Sequence, residues 1–192
     1  MLGRLHVMLA GLAFAPSPSD AGAQPYPIEL GIDGAVTWNR SDGPDALGRR
    51  WTTVVQLPVA NLRVGIMSAD RRWSMEPNLS LVRSLSKGNS ASEMVLDLGL
   101  LFHLAVPTPR EPRKRQPYIR PFAGVDYVTY SGEDTGGTDA RSRLGVGLGA
   151  KLPMIDRLST RLEARYVRTG RSDKRAAIEG FGIATGLSFF TR

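Results

Sequence analysis

Few residues in this chain are of a type that does chemistry, and their spacing is more telling than their number. The chain contains no cysteine and two histidines. His6 lies in an apolar N-terminal stretch, which leaves His103 as the one histidine of the remainder. A lone imidazole serves as a general base only beside a nucleophile it can deprotonate. His103 is followed by Leu104-Ala105-Val106, and no serine stands two residues from it on the same face. Glu93 and Asp97 share that face further along, so a rim histidine bonded to a carboxylate is the expectation. One histidine without cysteine does not make a zinc site. Glu133, Asp134 and Asp139 in SGEDTGGTDA lack the D-x-[DN]-x-[DN]-G spacing of a calcium loop. GVGLG (145–149) has the look of a nucleotide loop, but its glycines alternate with apolar residues, as expected of a closely packed strand. No cofactor, metal ligand set or catalytic residue emerges.

What does emerge is charge of both signs on alternate positions. Glu29, Asp33, Glu76, Glu93, Asp97, Arg120, Asp126, Lys151, Arg161, Glu163, Arg165 and Glu179 stand mostly between apolar or glycine neighbours. Strict alternation marks a strand, whose successive side chains point to opposite faces. In ASEMVLDLGLLFHLAV (91–106), Met94, Leu96, Leu98, Leu100, Phe102, Leu104 and Val106 share one face. The elements that carry the charges are therefore strands, and eight segments follow the pattern: 28–38, 51–68, 72–85, 91–106, 118–130, 143–153, 157–167 and 180–189. In the second, the apolar parity shifts between Val55-Leu57-Val59 and Leu62-Val64-Ile66. Pro58 precedes the shift, as at a bulge.

The connections alternate in length. SADR (68–71) and MIDR (154–157) are short turns with Asp-Arg at the tip. NRSDGPDALGRR (39–50), SLSKGNSA (84–91), SGEDTGGTDA (131–140) and TGRSDKRA (169–176) are longer and polar. Short turns at one end and long loops at the other is the layout of a transmembrane β-barrel. VPTPREPRKRQP (106–117) breaks the rhythm, being long where a short turn is due. Its basic run, REPRKR (110–115), is expected to be a solvated connector.

The first 23 residues read as a signal peptide: Arg4, an apolar stretch from Leu5 to Ala15, then Ala21-Gly22-Ala23 before cleavage. They hold one Arg and one Asp, so residues 24–192 form the barrel domain and keep the formal net charge of +7. No run of apolar residues is long enough for a helical span.

A soluble sheet buries its apolar face, whereas a barrel in lipid turns it outward. Three features favour the second. The opposite face is crowded with paired signs, which a small packed barrel interior tolerates only as ion pairs. The apolar rows suit a tilted strand crossing a bilayer. Aromatics gather near segment ends: Trp38, Trp51, Trp73, Tyr118, Tyr127, Tyr130, Tyr166, Phe181 and Phe189. Glu29, Asp33, Glu76, Glu93, Asp97, Arg120, Asp126, Arg161, Glu163 and Arg165 are thus expected to form an interior polar network. Met94, Leu96, Leu98, Leu100, Phe102, Leu104, Leu144, Val146, Leu148, Leu187 and Phe189 are expected to face lipid.

With its leader, eight alternating segments, D-R turns, GVGLGAKLP strand and closing GIATGLSFFTR, the chain resembles the small bacterial outer-membrane β-barrel proteins, a group that includes the membrane domain of outer-membrane protein A. The resemblance covers roughly residues 26–190. It implies an all-β, antiparallel up-and-down barrel of eight strands, exported to the outer membrane of a Gram-negative-type bacterium. It implies a monomer in contact with membrane lipid and lipopolysaccharide, handled by the barrel-assembly machinery, with no nucleic-acid partner. Members usually close on a terminal aromatic; here Thr191-Arg192 follow Phe189-Phe190. The implied role is structural, adhesive or that of a narrow pore. The alternatives are a lipid A-modifying enzyme using His103, and a soluble periplasmic β-barrel with an apolar ligand inside.

Overall fold

The computed structural model describes residues 28–41, 50–56, 61–86, 89–105, 115–132, 137–155, 157–173 and 175–191. The leader, the loop 42–49 and most of the basic connector lie outside these residues. Nine β-strands make up the described chain: β1 (Ile28–Ser41), β2 (Arg50–Gln56), β3 (Asn61–Met67), β4 (Trp73–Ser86), β5 (Asn89–His103), β6 (Gln116–Gly132), β7 (Gly137–Ile155), β8 (Leu158–Thr169) and β9 (Ile178–Phe190). All pairings are antiparallel between neighbours, and β9 returns to pair with β1 from Glu29↔Phe190 to Ser41↔Ile178. The sheet is therefore a closed up-and-down barrel.

It is an eight-stranded barrel, because β2 and β3 share one strand position. β2 pairs with the far half of β1 (Ala35↔Gln56) and β3 with its near half (Ile32↔Leu62). Three steps along β1 thus face six along the partner, and the bulge expected at Pro58 falls in 57–60, outside the described residues. This interruption carries the parity change: Val55 points out, and then Leu62, Val64 and Ile66 do.

Ile28 and Thr191, the turn 68–72 and Arg157 gather at one end of the barrel, here the turn end, where Thr191 N–H donates to Ile28 C=O and Phe190 N–H to Arg157 C=O. β5 and β6 also join at that end, where Leu104 N–H donates to Pro117 C=O at 2.8 Å. The segment read from sequence as 91–106 is strand from Asn89 to His103, and Val106 lies outside the described residues. Both Asp-Arg turns put the arginine in the left-handed region, with φ of 56° at Arg71 and 88° at Arg157. In the first, the Ser68 hydroxyl donates to Asp70 at 2.6 Å, which holds the Asp70 carboxyl below its ordinary pKa.

At the opposite, loop end, two of the expected loops are mostly strand. β4 and β5 pair out to Ser86↔Asn89, and β6 and β7 out to Tyr130↔Gly137. Thr129 and Thr138, paired across the second hairpin, offer the β-propensity that extends it. Asp139, read from sequence as a loop residue, is buried in β7 and accepts a bond from the Ser172 hydroxyl at 2.7 Å.

The packing is inverted relative to a water-soluble domain. Leu30, Ile32, Leu62, Leu81, Leu96, Leu98, Leu144, Leu148, Ile183 and Leu187 are all exposed, while Glu29, Glu76, Lys151 and Glu163 are buried. Exposed apolar surface on this scale is a partner or lipid interface. Aromatics mark both edges of the belt. Phe102, opposite Trp73, and Phe189 lie toward the turn end; Trp38, Phe181 and Tyr166 line up across β1, β9 and β8 toward the loop end. The Tyr166 and Phe181 rings are 5.0 Å apart. The Leu30–Phe189 and Trp38–Phe181 pairs are eight residues apart along β1. That is about 20 Å along the axis for a rise near 3.3 Å and a tilt near 40°. Tyr118 is the exception among the expected edge aromatics: it is 1% exposed and points inward, because it shares parity with Arg120 and Phe122.

Leu98 sits midway along β5, between Pro77 and Ala123 on the outer face. Leu98→Arg is expected to lower unfolding stability in lipid vesicles by about 2–4 kcal/mol, the cost of a cation near a bilayer midplane. Urea titration of both forms in the same vesicles measures it, and an unchanged midpoint would contradict the outward assignment.

Candidate functional site: the charged barrel interior

The interior polar groups form two layers. The lower layer, toward the turn end, centres on Glu76 of β4. Its carboxylate accepts from Arg161 Nη1 at 2.8 Å and Lys151 Nζ at 3.3 Å. Arg63 Nη1 lies 3.4 Å away and Arg120 Nε 3.6 Å. Glu29 takes Arg63 Nη1 at 2.5 Å and also Lys151 Nζ. Asp33 takes Arg63 Nε at 3.0 Å. Glu163 is bonded by Arg161, by Arg120 Nη1 at 3.4 Å and by the Tyr118 hydroxyl at 2.9 Å. Four cations thus face four carboxylates, drawn from β1, β3, β4, β6, β7 and β8. No strand supplies both signs of this layer except β8, so the network exists only once the barrel is closed.

Small residues make room for these long side chains. A Cβ on Gly147 would meet the Glu163 carboxyl carbon at 2.7 Å. Gly31 lies beneath the Arg63 guanidinium and Gly99 beneath that of Arg120. The alternating glycines of GVGLG are accordingly packing positions, with Gly145 against Phe122 and Gly149 against the Tyr118 ring. Guanidinium groups also stack on the inward rings. Arg161 lies 4.8 Å from the Tyr118 centroid and Arg120 4.8 Å from that of Phe122.

The upper layer lies toward the loop end. Asp126 pairs with Arg141 and, at 3.6 Å, with Arg175. Asp97 pairs with Arg143 at 3.4 Å. Glu93 lies beside Asp126 and in the field of Arg175 and Arg143. Arg165 reaches across the lumen to Gln56 Oε1 at 3.2 Å, and Gln56 donates on to the Ser80 hydroxyl at 3.3 Å. The loop after β8 folds over this mouth: Gly170 N–H donates to Ser142 C=O, and Arg141 Nη1 donates to Ala176 C=O at 3.1 Å.

Every residue of the expected interior network points inward, and further cations join them. Arg63, Lys151, Arg141, Arg143 and Arg175 supply much of the positive charge. Alternation places Arg63 opposite the Leu62-Val64-Ile66 row, a signal obscured by the parity shift before it. Glu179, counted among the alternating charges but not in that network, is half-buried at the loop end and lies 3.9 Å from the exposed Arg168. Met94, Leu96, Leu98, Leu100, Phe102, Leu104, Leu144, Val146, Leu148, Leu187 and Phe189 are on the outer surface.

His103 is 8% exposed at the turn end of the interior. Its expected carboxylate bond is absent, and neither ring nitrogen has a hydrogen-bond partner among the described residues. Its neighbour is the Tyr118 ring, edge-on with centroids 6.4 Å apart. Among the described residues no set of His, Asp and Glu is arranged to hold a metal ion. REPRKR falls almost wholly outside the described residues, of which Arg115 is exposed.

Glu76→Leu removes the anion that four cations share. It is expected to cost about 3–5 kcal/mol, the usual penalty for leaving buried charge uncompensated. Thr185→Val on the outer face is expected to stay within about 0.5 kcal/mol. Urea unfolding of the refolded barrels compares the two.

The chain matches no protein-family model, and it matches no curated protein. Among solved structures it is similar to Neisserial surface protein A, with a TM-score of 0.63 at 10% identity over 84% of this chain and 96% of that one. It is also similar to the outer membrane protein OprG of Pseudomonas aeruginosa, with a TM-score of 0.51 at 13% identity over 88% and 97%. The fold is that of the small eight-stranded outer-membrane β-barrels.

Proposed function

We propose that this protein is exported by its leader and resides in the outer membrane as a monomeric structural or surface barrel with no conducting lumen. The observation that carries the reading is the pair of layers inside: four cations and four carboxylates fill the turn half, and at the loop end the segment after β8 bonds inward to Asp126 and Arg141 of β6 and β7. A lumen of eight strands is only wide enough for its own side chains. Ions would cross it only by breaking buried pairs.

The other parts of the reading follow from the wall. The belt of exposed leucine, isoleucine and valine fits lipid acyl chains, and the loop-end polar hairpins fit lipopolysaccharide headgroups. Closure of β9 on β1 removes the edges that the two terminal strands would offer a second copy, and among the described residues only the short β2, paired with β1 alone, keeps an open side. The terminal strand ends on Phe189-Phe190, the segment offered to the assembly machinery. Surface activity such as adhesion would reside in the hairpins projecting beyond the belt. Against catalysis stands the setting of His103, which faces the interior with no hydroxyl nucleophile bonded to it. Against a soluble ligand-binding barrel stands an interior of ion pairs rather than apolar surface.

Membrane fractions should release the protein only with detergent, and unheated samples should migrate differently from boiled ones on gels. In planar bilayers the purified barrel should give no sustained conductance. Discrete open steps would favour the narrow-pore reading. Release without detergent would overturn the membrane assignment, and a change in lipid A mass on His103→Ala would restore the enzymatic one.

A further inference from the structure

The lower layer is neutral, but one cation of the upper layer has no anion of its own. Arg165 is 8% exposed, and its one hydrogen bond goes to the uncharged Gln56 amide. Its Nε has no partner among the described residues, and no carboxylate is in ion-pair contact with it. Its nearest charged neighbours include two more cations, Arg143 and Arg120, which repel it; Glu163 and Asp97 attract it from beyond contact distance. Both carboxylates are already held, Glu163 by Arg161 and Arg120, and Asp97 by Arg143. Nε of Arg120 and of Arg143 likewise make no hydrogen bond. Arg120 and Arg165 stand in one row, each paired to Gly147, so no side chain of β7 separates them.

A buried guanidinium without a counter-charge is costly. Arg165 alone lacks a counter-charge, and it lies in the field of two further guanidiniums, those of Arg143 and Arg120, which are met by Asp97 and by Glu163 and Glu76; such a group is a ready anion receptor, its desolvation already met in folding. We propose that the upper lumen holds a small inorganic anion of halide size against Arg165, flanked by Arg143 and Arg120. The halide size follows from the packing. The lumen of eight strands is filled by its own side chains, and a large organic anion would have to displace the Gln56 amide that Arg165 bonds. The anion sits above the neutral layer and enters from the loop end, past Asp126 and Arg175. The site is independent of the barrel's outer role and compatible with a closed lumen, since the neutral layer blocks the way through.

The full mature chain, refolded in detergent, tests this with chloride as the probe. Chloride NMR linewidth is read at constant ionic strength, with gluconate as the replacing anion. The wild-type protein should broaden chloride saturably, with the broadening displaced by bromide. It should also unfold at a higher temperature in chloride than in gluconate, since a ligand bound only by the folded state stabilises it. Arg165→Gln should bring the linewidth to the protein-free level and abolish the thermal difference, while Arg165→Lys should keep part of both. Linewidth unchanged by the wild-type protein would mean that water alone solvates Arg165 and would overturn the proposal. So would a broadening that survives Arg165→Gln. Should Arg165→Gln fail to refold, the wild-type broadening and its displacement decide the matter alone.

Discussion

A carboxylate buried at the centre of the barrel organises the rest. Glu76 is 0% exposed and lies within ion-pair reach of Arg63, Lys151, Arg161 and Arg120. Removing any of these charges from water is expensive, and their attraction repays the cost only when the geometry is complete. That geometry draws on strands from both ends of the chain: Lys151 bonds Glu29 across 122 residues. The interior is therefore a global feature that needs the closed barrel, and it is tied to the register of the wall. A shift of one residue would turn Glu76 outward and Pro77 inward.

The same constraint accounts for the composition of the strands. Long charged side chains occupy the lumen only where a facing position is empty, so Gly31, Gly99 and Gly147 lie where Arg63, Arg120 and Glu163 pass. The outward positions answer to a different solvent and carry Leu, Ile and Val in the middle with aromatics at the edges. Each strand is thus written for two environments, and neither face is a conventional core. The two ends differ too. The turn end is tied by short bonded turns, whereas the loop end extends as paired hairpins and as a segment that bonds back over the mouth.

Much of the wall was legible from alternation alone, because period two is a local property of each segment. It placed Leu98 and Leu148 outside and Asp97 and Arg120 inside. Closure, the split of β2 from β3 and the length of the hairpins were less legible. They depend on pairing between strands, as at Ser86↔Asn89, where polar residues chosen for solvent still form a ladder. The site was legible by membership and not by partnership. Glu76 and Arg161 are 85 residues apart, and nothing local joins them. Tyr118 was misplaced for a related reason. Tyrosine at a strand end suits a membrane edge, but here its hydroxyl has a carboxylate inside, Glu163, and its parity agrees.

The central claim is that the apolar face is the outside and meets lipid. The absence of cysteine makes the direct test clean, since single cysteines along β5 can carry a fluorophore without background. In vesicles of brominated phospholipid, probes at Leu96, Leu98 and Leu100 should be quenched, and probes at Val95 and Leu101 should not. Quenching confined to Val95 and Leu101, or equal at all five positions, would contradict the account.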